Sequence, residues 1–226
     1  MKLALLPGLD GTGELFAPFV AALAGTATRI VGYPTDRAMD YAGHEAVARA
    51  QLPQDDFVLV AESFSGPVGI SIAAAPPPGL RGLVLCATFA SNPFPRLGFL
   101  APAMRVLPAP KLPTPIAARW LYPGRETPEL RDALSAAMRR VSMRTLGSRI
   151  AAVLSVDHRN LVSRIAVPML YLRADQDRVI PRAAGLHILG RRAGIALATF
   201  DAPHFLLQTE PAACAATVLD FAARCS

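Results

Sequence analysis

The stretch VLVAESFSGPVG, residues 58–69, passes from four apolar residues straight into small, polar and helix-starting ones. An apolar run bounded in this way reads as a buried strand that ends near Glu62 and turns sharply into a helix. Such a turn can hold one side chain out at the carboxyl end of a sheet. The residues two before and two after it must then be small, because strand and helix backbones approach closely there. Centred on Ser63, the flanks are Ala61 and Ser65, with Gly66 next; centred on Ser65, they are Ser63 and Pro67. A proline ring fits the crowded flank poorly, so Ser63 is the better nucleophile by this geometry. A serine at a strand-to-helix junction also serves as a helix N-cap, so the rest of the chain must decide between the two roles.

Working outward, six apolar runs read as buried strands: 2–6, 28–32, 57–62, 82–87, 169–174 and 195–200. Helical patterns lie between most of them, at 43–52, after Ser63, at 181–190 and at 210–224. Strands that are apolar along their length and alternate with helices predict an α/β fold. Its sheet is mostly parallel and six-stranded, with helices on both faces and right-handed crossovers. Between Ala87 and Met169 no strand is evident. Prolines crowd the first part of that interval, and helical patterns follow at 126–146 and 147–155. A structureless loop of that length is uncommon. Residues 88–164 are therefore expected to form an inserted helical cap or lid within a single domain, 1–226.

Composition bounds the function. A chain of 226 residues with 52% hydrophobic content is not disordered and suits one domain. No apolar run reaches the roughly 18 residues of a membrane span. The apolar run before Pro7 is shorter than the about 7–15 residues of a secretory signal, so a cytoplasmic location is expected. Cys86, Cys214 and Cys225 have no metal-type spacing and predict neither a disulfide framework nor a metal site. Residues 96–164 hold 12 Arg or Lys against 4 Asp or Glu, whereas the remainder holds 11 against 13. No nucleic-acid motif accompanies that basic segment. Such a segment would suit an acidic partner such as an acyl carrier protein, or an anionic acyl substrate; a solvated arginine face that reflects codon bias is the alternative reading.

A serine hydroxyl needs an adjacent base, and the chain has four histidines. His204, in TFDAPHFLLQTEP, lies just past the last strand, at the expected carboxyl edge of the sheet. His44, His158 and His187 read as surface or packing residues. The imidazole needs a carboxylate to fix its tautomer, and MLYLRADQDRVIP offers Asp175 and Asp177 beyond a strand. Asp177 is the favoured partner, with Asp175 the reserve. The developing oxyanion needs N–H donors. The Phe64 amide follows the nucleophile, and the Leu9 amide lies in the glycine-rich loop LLPGLDGTGELF. That loop lacks the spacing of dinucleotide or P-loop motifs, so no cofactor is expected.

LPGLDGTG, AESFSG, ADQDRVIP and APHFLLQTEP together resemble the oxyanion loop, nucleophile elbow, acid loop and histidine loop of the α/β-hydrolase superfamily, in that family's order. The resemblance implies Ser63 as nucleophile, Asp177 as acid, His204 as base, and Leu9 and Phe64 as oxyanion-hole positions. Pro7 stands where many members have histidine, Ala61 and Ser65 replace the two elbow glycines, and the first strand resembles the family's third. The implied activity is a serine hydrolase cleaving a small-molecule carboxylic ester through an acyl-enzyme. An acyl thioesterase or a carrier-protein methyl ester esterase would use the same triad. A non-catalytic binding protein on this scaffold is the alternative of another class.

Overall fold

Val58, Leu59, Val60 and Ala61 are wholly inaccessible to solvent, which is why their run lacks the polar alternation of a half-exposed strand. The computed structural model describes residues 1–109 and 111–225. Its strands are β1 (Lys2–Leu6), β2 (Thr28–Ile30), β3 (Phe57–Glu62), β4 (Leu80–Cys86), β5 (Met169–Ala174) and β6 (Ala196–Phe200). They form one sheet in the order β2-β1-β3-β4-β5-β6, with every neighbouring pair parallel.

The helices are α1 (Ala17–Ala22), α2 (Tyr41–Arg49), α3 (Gly66–Ala74), α4 (Ala101–Val106), α5 (Thr114–Leu121) and α6 (Pro128–Arg140). They continue with α7 (Met143–Ser155), α8 (Arg159–Val162), α9 (Arg182–Leu189), α10 (Leu206–Thr209) and α11 (Pro211–Arg224). Alternate residues of each central strand face opposite layers. Leu59, Ala61, Leu83 and Leu85 pack with side chains of α2, α3 and α9. Val58, Val60, Val84 and Cys86 pack with those of α1, α10 and α11. Cys86 is thus a small core residue, and all three cysteines are free thiols.

Two features differ from the sequence expectation. The runs at 28–32 and 195–200 are not buried strands: β2 and β6 are the sheet's edges, and most of their residues are half-buried or exposed. An edge strand has a neighbour on one side only, and apolar content alone does not distinguish it from a central one. The helical patterns at 126–146 and 147–155 meet elsewhere, because α6 ends at Arg140 and Val141 is extended. Ser142 then caps α7, its Oγ accepting from the Thr145 N–H at 3.0 Å. Between β4 and β5 the described residues contain helices α4 to α8 and one isolated bridge, Ser91 to Asp157, but no strand.

The order of strands positions the site. The chain passes from β1 outward to β2, then returns across β1 to β3 and proceeds stepwise to β6. The reversal falls between β1 and β3, whose carboxyl ends lie side by side, with Leu6 opposite Ala61. Ligands of open α/β sheets sit at such switch points. Among the described residues, no helix is long and apolar enough to cross a membrane.

Candidate active site

Ser63 adopts φ +47°, a left-handed conformation that side-chain-bearing residues rarely take. It follows the last residue of β3 and opens a 3-10 turn, Ser63–Ser65, that runs directly into α3. Close packing makes the turn sharp. A Cβ on Gly66 would lie 1.9 Å from Thr88 Oγ1, and one on Gly69 would lie 2.7 Å from the Ala61 Cβ. The Thr88 hydroxyl also donates to the Ser63 carbonyl, and the Tyr41 hydroxyl donates to the Phe64 carbonyl at 3.0 Å. The buried Phe64 ring stacks on Tyr41 with centroids 5.1 Å apart.

Ser65 has a structural task. Its hydroxyl donates to the Pro7 carbonyl, so the Tyr33 hydroxyl, 2.9 Å away, must donate to Ser65 Oγ. A side chain occupies the place of the second elbow glycine here, and its hydrogen bonds tie the elbow to the loop after β1.

His204 lies between β6 and α10 and is nearly fully buried. Its Nε2 is 2.9 Å from Ser63 Oγ, and its Nδ1 is 2.8 Å from Asp177 Oδ2. The other carboxylate oxygen of Asp177 accepts the N–H groups of Val179 and Ile180 at 2.7 and 2.8 Å. Those bonds fix which oxygen faces the imidazole. Nδ1 therefore donates to the carboxylate, leaving Nε2 to accept the serine proton. Ser63, His204 and Asp177 are brought together, whereas Asp175 is not: it pairs with Arg173 at 2.9 Å and is 42% exposed.

The remaining histidines lie elsewhere. His44 is buried beneath the elbow, its Nδ1 donating to the Asp40 carbonyl at 2.6 Å. Burial pushes its pKa down to about 4. His158 donates to the Pro67 carbonyl at 3.0 Å, and His187 is exposed.

The loop carrying Leu9 is held by internal and external bonds. The Gly8 carbonyl accepts the Gly11 N–H at 3.1 Å, which orients the peptide whose N–H belongs to Leu9. Arg149 of α7 reaches in from outside the sheet. Its Nη1 donates to the carbonyls of Leu9 and Asp10 at 2.8 and 2.6 Å, and its Nη2 to that of Pro34 at 2.9 Å. Gly11, at φ +69°, is obligatory here, since a Cβ would lie 2.6 Å from the guanidinium. Phe64 is in the first turn after the strand, where N–H groups lack intrahelical acceptors.

Sequence reasoning missed the burial of Arg149 and Glu62. Arg149 was indistinguishable by composition from the other arginines of its segment. Its spacing from Leu146 and Ala152, both buried on α7, is the signal that places it on the inner face. Glu62, immediately before Ser63, is 5% exposed and accepts from Gln208 Nε2 at 2.9 Å. Burial raises its pKa to about 7, against the opposing pull of that bond and of His204. A cavity of about 500 Å³ lies between the Glu14–Pro18 region, α6 and Gln208, and neither Ser63 nor His204 lines it. Among the described residues, no group of three or more His, Cys, Asp or Glu is placed to hold a metal ion.

A doubly wound parallel sheet with a strained serine elbow at its switch point defines a hydrolase architecture. The model of the alpha/beta hydrolase family matches residues 3–217, and the chain belongs to that family. Similar solved structures include a hydrolase from Pseudomonas aeruginosa PA01, 22% identical, with TM-score 0.79 over 97% of this chain and 89% of that one. An esterase from Exiguobacterium antarcticum is 14% identical, with TM-score 0.78 over 98% and 91%. The enol-lactonase from Burkholderia xenovorans LB400 is 19% identical, with TM-score 0.72 over 97% and 90%. At these identities the likeness is one of fold. Comparison with curated protein sequences finds no match.

Proposed function

We propose that the chain is a serine esterase that cleaves carboxylic esters through an acyl-enzyme. The observation that carries this reading is the unbroken hydrogen-bond chain from Ser63 Oγ through His204 to Asp177. In this reading Ser63 Oγ attacks the ester carbonyl as its proton passes to His204 Nε2. The imidazolium forms against Asp177, which keeps its charge. The Leu9 and Phe64 amides stabilise the oxyanion. Collapse of the tetrahedral adduct breaks the bond to the alcohol, which leaves with the proton from Nε2. Water then repeats the sequence on the acyl-enzyme and releases the acid. The helices of residues 88–164 act as the cap over this site. The same steps cleave a thioester, and a panel of acyl esters and thioesters distinguishes the two.

The test is covalent. A fluorophosphonate probe is expected to label Ser63, and Ser63→Ala to lose both labelling and turnover, by on the order of 10⁴–10⁶ in kcat. Label on another serine, or full turnover by Ser63→Ala, would refute the assignment.

A further inference from the structure

Between residues 95 and 120 the ordinary distribution of side chains is inverted. Among its described residues the segment buries Ala101, Ala109 and Ala118, while most of its large apolar residues are exposed. Phe99 is 76% exposed, Val106 75%, Leu112 62% and Trp120 55%. Seven of the twelve large hydrophobic residues exposed among the described residues fall within 97–120, so they are concentrated in one segment of the chain. Arg96, Arg105, Lys111 and Arg119 are interleaved with them. None of these four forms an ion pair among the described residues. The sequence has no carboxylate between Glu62 and Glu126. None of these residues lines the cavity beside α6.

We propose that residues 96–120 dock this protein onto an anionic lipid surface. Protruding aromatic and aliphatic side chains need no shape-matched cavity in a bilayer, where they enter the boundary between headgroups and acyl chains. Unpaired Arg and Lys beside them meet the lipid phosphates and carboxylates. A second copy of the chain is disfavoured as occupant, because a two-fold interface would bring these cations against their own copies with no carboxylate within the segment to pair them. The Leu121 carbonyl at the end of α5 accepts the Phe205 N–H at 2.9 Å. The docked segment is thereby attached to the loop that carries His204. The proposal is independent of the chemistry at Ser63.

Trp120 is the single tryptophan of the chain, so its emission reports the contact directly. The full-length Ser63→Ala protein is mixed with vesicles of phosphatidylglycerol and phosphatidylcholine, or of phosphatidylcholine alone, and followed by fluorescence and co-sedimentation. A blue shift and sedimentation with the anionic vesicles are expected, both suppressed by 0.5 M salt. Each cation near such a surface contributes roughly fivefold in affinity. Combining Arg96→Gln, Arg105→Gln, Lys111→Gln and Arg119→Gln should therefore weaken binding by roughly several hundredfold, with unchanged thermal melting. Phe99→Ser with Leu112→Ser should weaken it while preserving the salt dependence. Absence of binding, equal binding to neutral vesicles, or a quadruple variant that binds like its parent would overturn the proposal. So would a blue shift that grows with protein concentration without lipid, or one given by an acidic carrier protein and not by vesicles.

Discussion

The conformation of Ser63 costs a non-glycine residue on the order of 1–3 kcal/mol, and neighbouring side chains hold it there. The hydroxyls of Thr88, Tyr41 and Ser65 donate to the carbonyls of Ser63, Phe64 and Pro7 respectively. Ser65→Ala leaves the Pro7 carbonyl and the Tyr33 hydroxyl without this partner in a buried place. Chemical denaturation should register a loss of about 1–3 kcal/mol, while Ser63 remains reactive toward a fluorophosphonate. The two aspartates separate by a similar argument. In Asp177→Asn the amide oxygen still accepts from Val179 and Ile180, so the NH₂ group faces His204 Nδ1. The imidazole is then driven to the tautomer with its proton on Nε2, where it cannot accept the serine proton. Under the proposed mechanism a loss on the order of 10³–10⁴ in kcat is expected for ester hydrolysis, against near-native turnover for Asp175→Asn. Equal losses in the two variants would contradict this assignment. Ser63, Asp177 and His204 were legible because each sits where a strand ends in a short polar signal. Glu62 was not, since a carboxylate ending an apolar strand gives no hint that Gln208, 146 residues on, will cover it.

Arg149 operates between elements. It is fully buried, and its guanidinium ties α7 to two carbonyls of the loop after β1 and to the carbonyl of Pro34. Desolvation lowers its pKa, and the nearby Asp10 opposes that shift. Arg149→Met removes the charge with similar chain length but leaves three carbonyls without this donor. Unfolding free energy should fall by about 2–4 kcal/mol. Because the released loop carries the proposed oxyanion donor, the Leu9 amide, kcat should fall more than KM rises. A change in KM alone would mean that the loop keeps its shape without the clamp. The same scale shows where sequence reading is weak. Strands β1, β3, β4 and β5 were legible as apolar runs because burial on both faces leaves no other pattern. The exposure of β2 and β6, and the helix break at Val141–Ser142, depend on neighbours that local sequence does not name. Ser142, for instance, also donates its backbone N–H to the Thr35 carbonyl at 2.8 Å.

At the scale of the whole molecule, two buried titratable groups oppose each other on the two sides of the elbow. Glu62 binds its proton more tightly in the folded chain, with a pKa of about 7 against an ordinary 4.5. Burial is the cause, reinforced by Asp10 and resisted by Gln208 and His204. Its contribution is fully present below about 4.5 and is lost as pH rises through 7. His44 binds its proton less tightly, at about 4 against 6.5, again through burial, with Arg149 adding to it and Asp40 opposing. Its Nδ1–H is committed to the Asp40 carbonyl, so protonation would place an N–H on the buried, unpartnered Nε2. That contribution is fully present above about 6.5 and is lost as pH falls through 4. Each amounts to about 3 kcal/mol, by order of magnitude. Between about pH 4.5 and 6.5 the two run in opposite directions and cancel, so the native protein should show a nearly flat stability profile there. Glu62→Gln keeps the shape of the side chain and removes one side of the balance. Its denaturation free energy should exceed that of the native chain above pH 7 and decline as pH falls from 6.5 to 4. His44→Phe retains the edge-on contacts with Tyr33 and Phe64 and should show the reverse, gaining stability as pH falls from 7 to 4.5. Parallel profiles for all three proteins would mean that neither group is titrating where its burial places it.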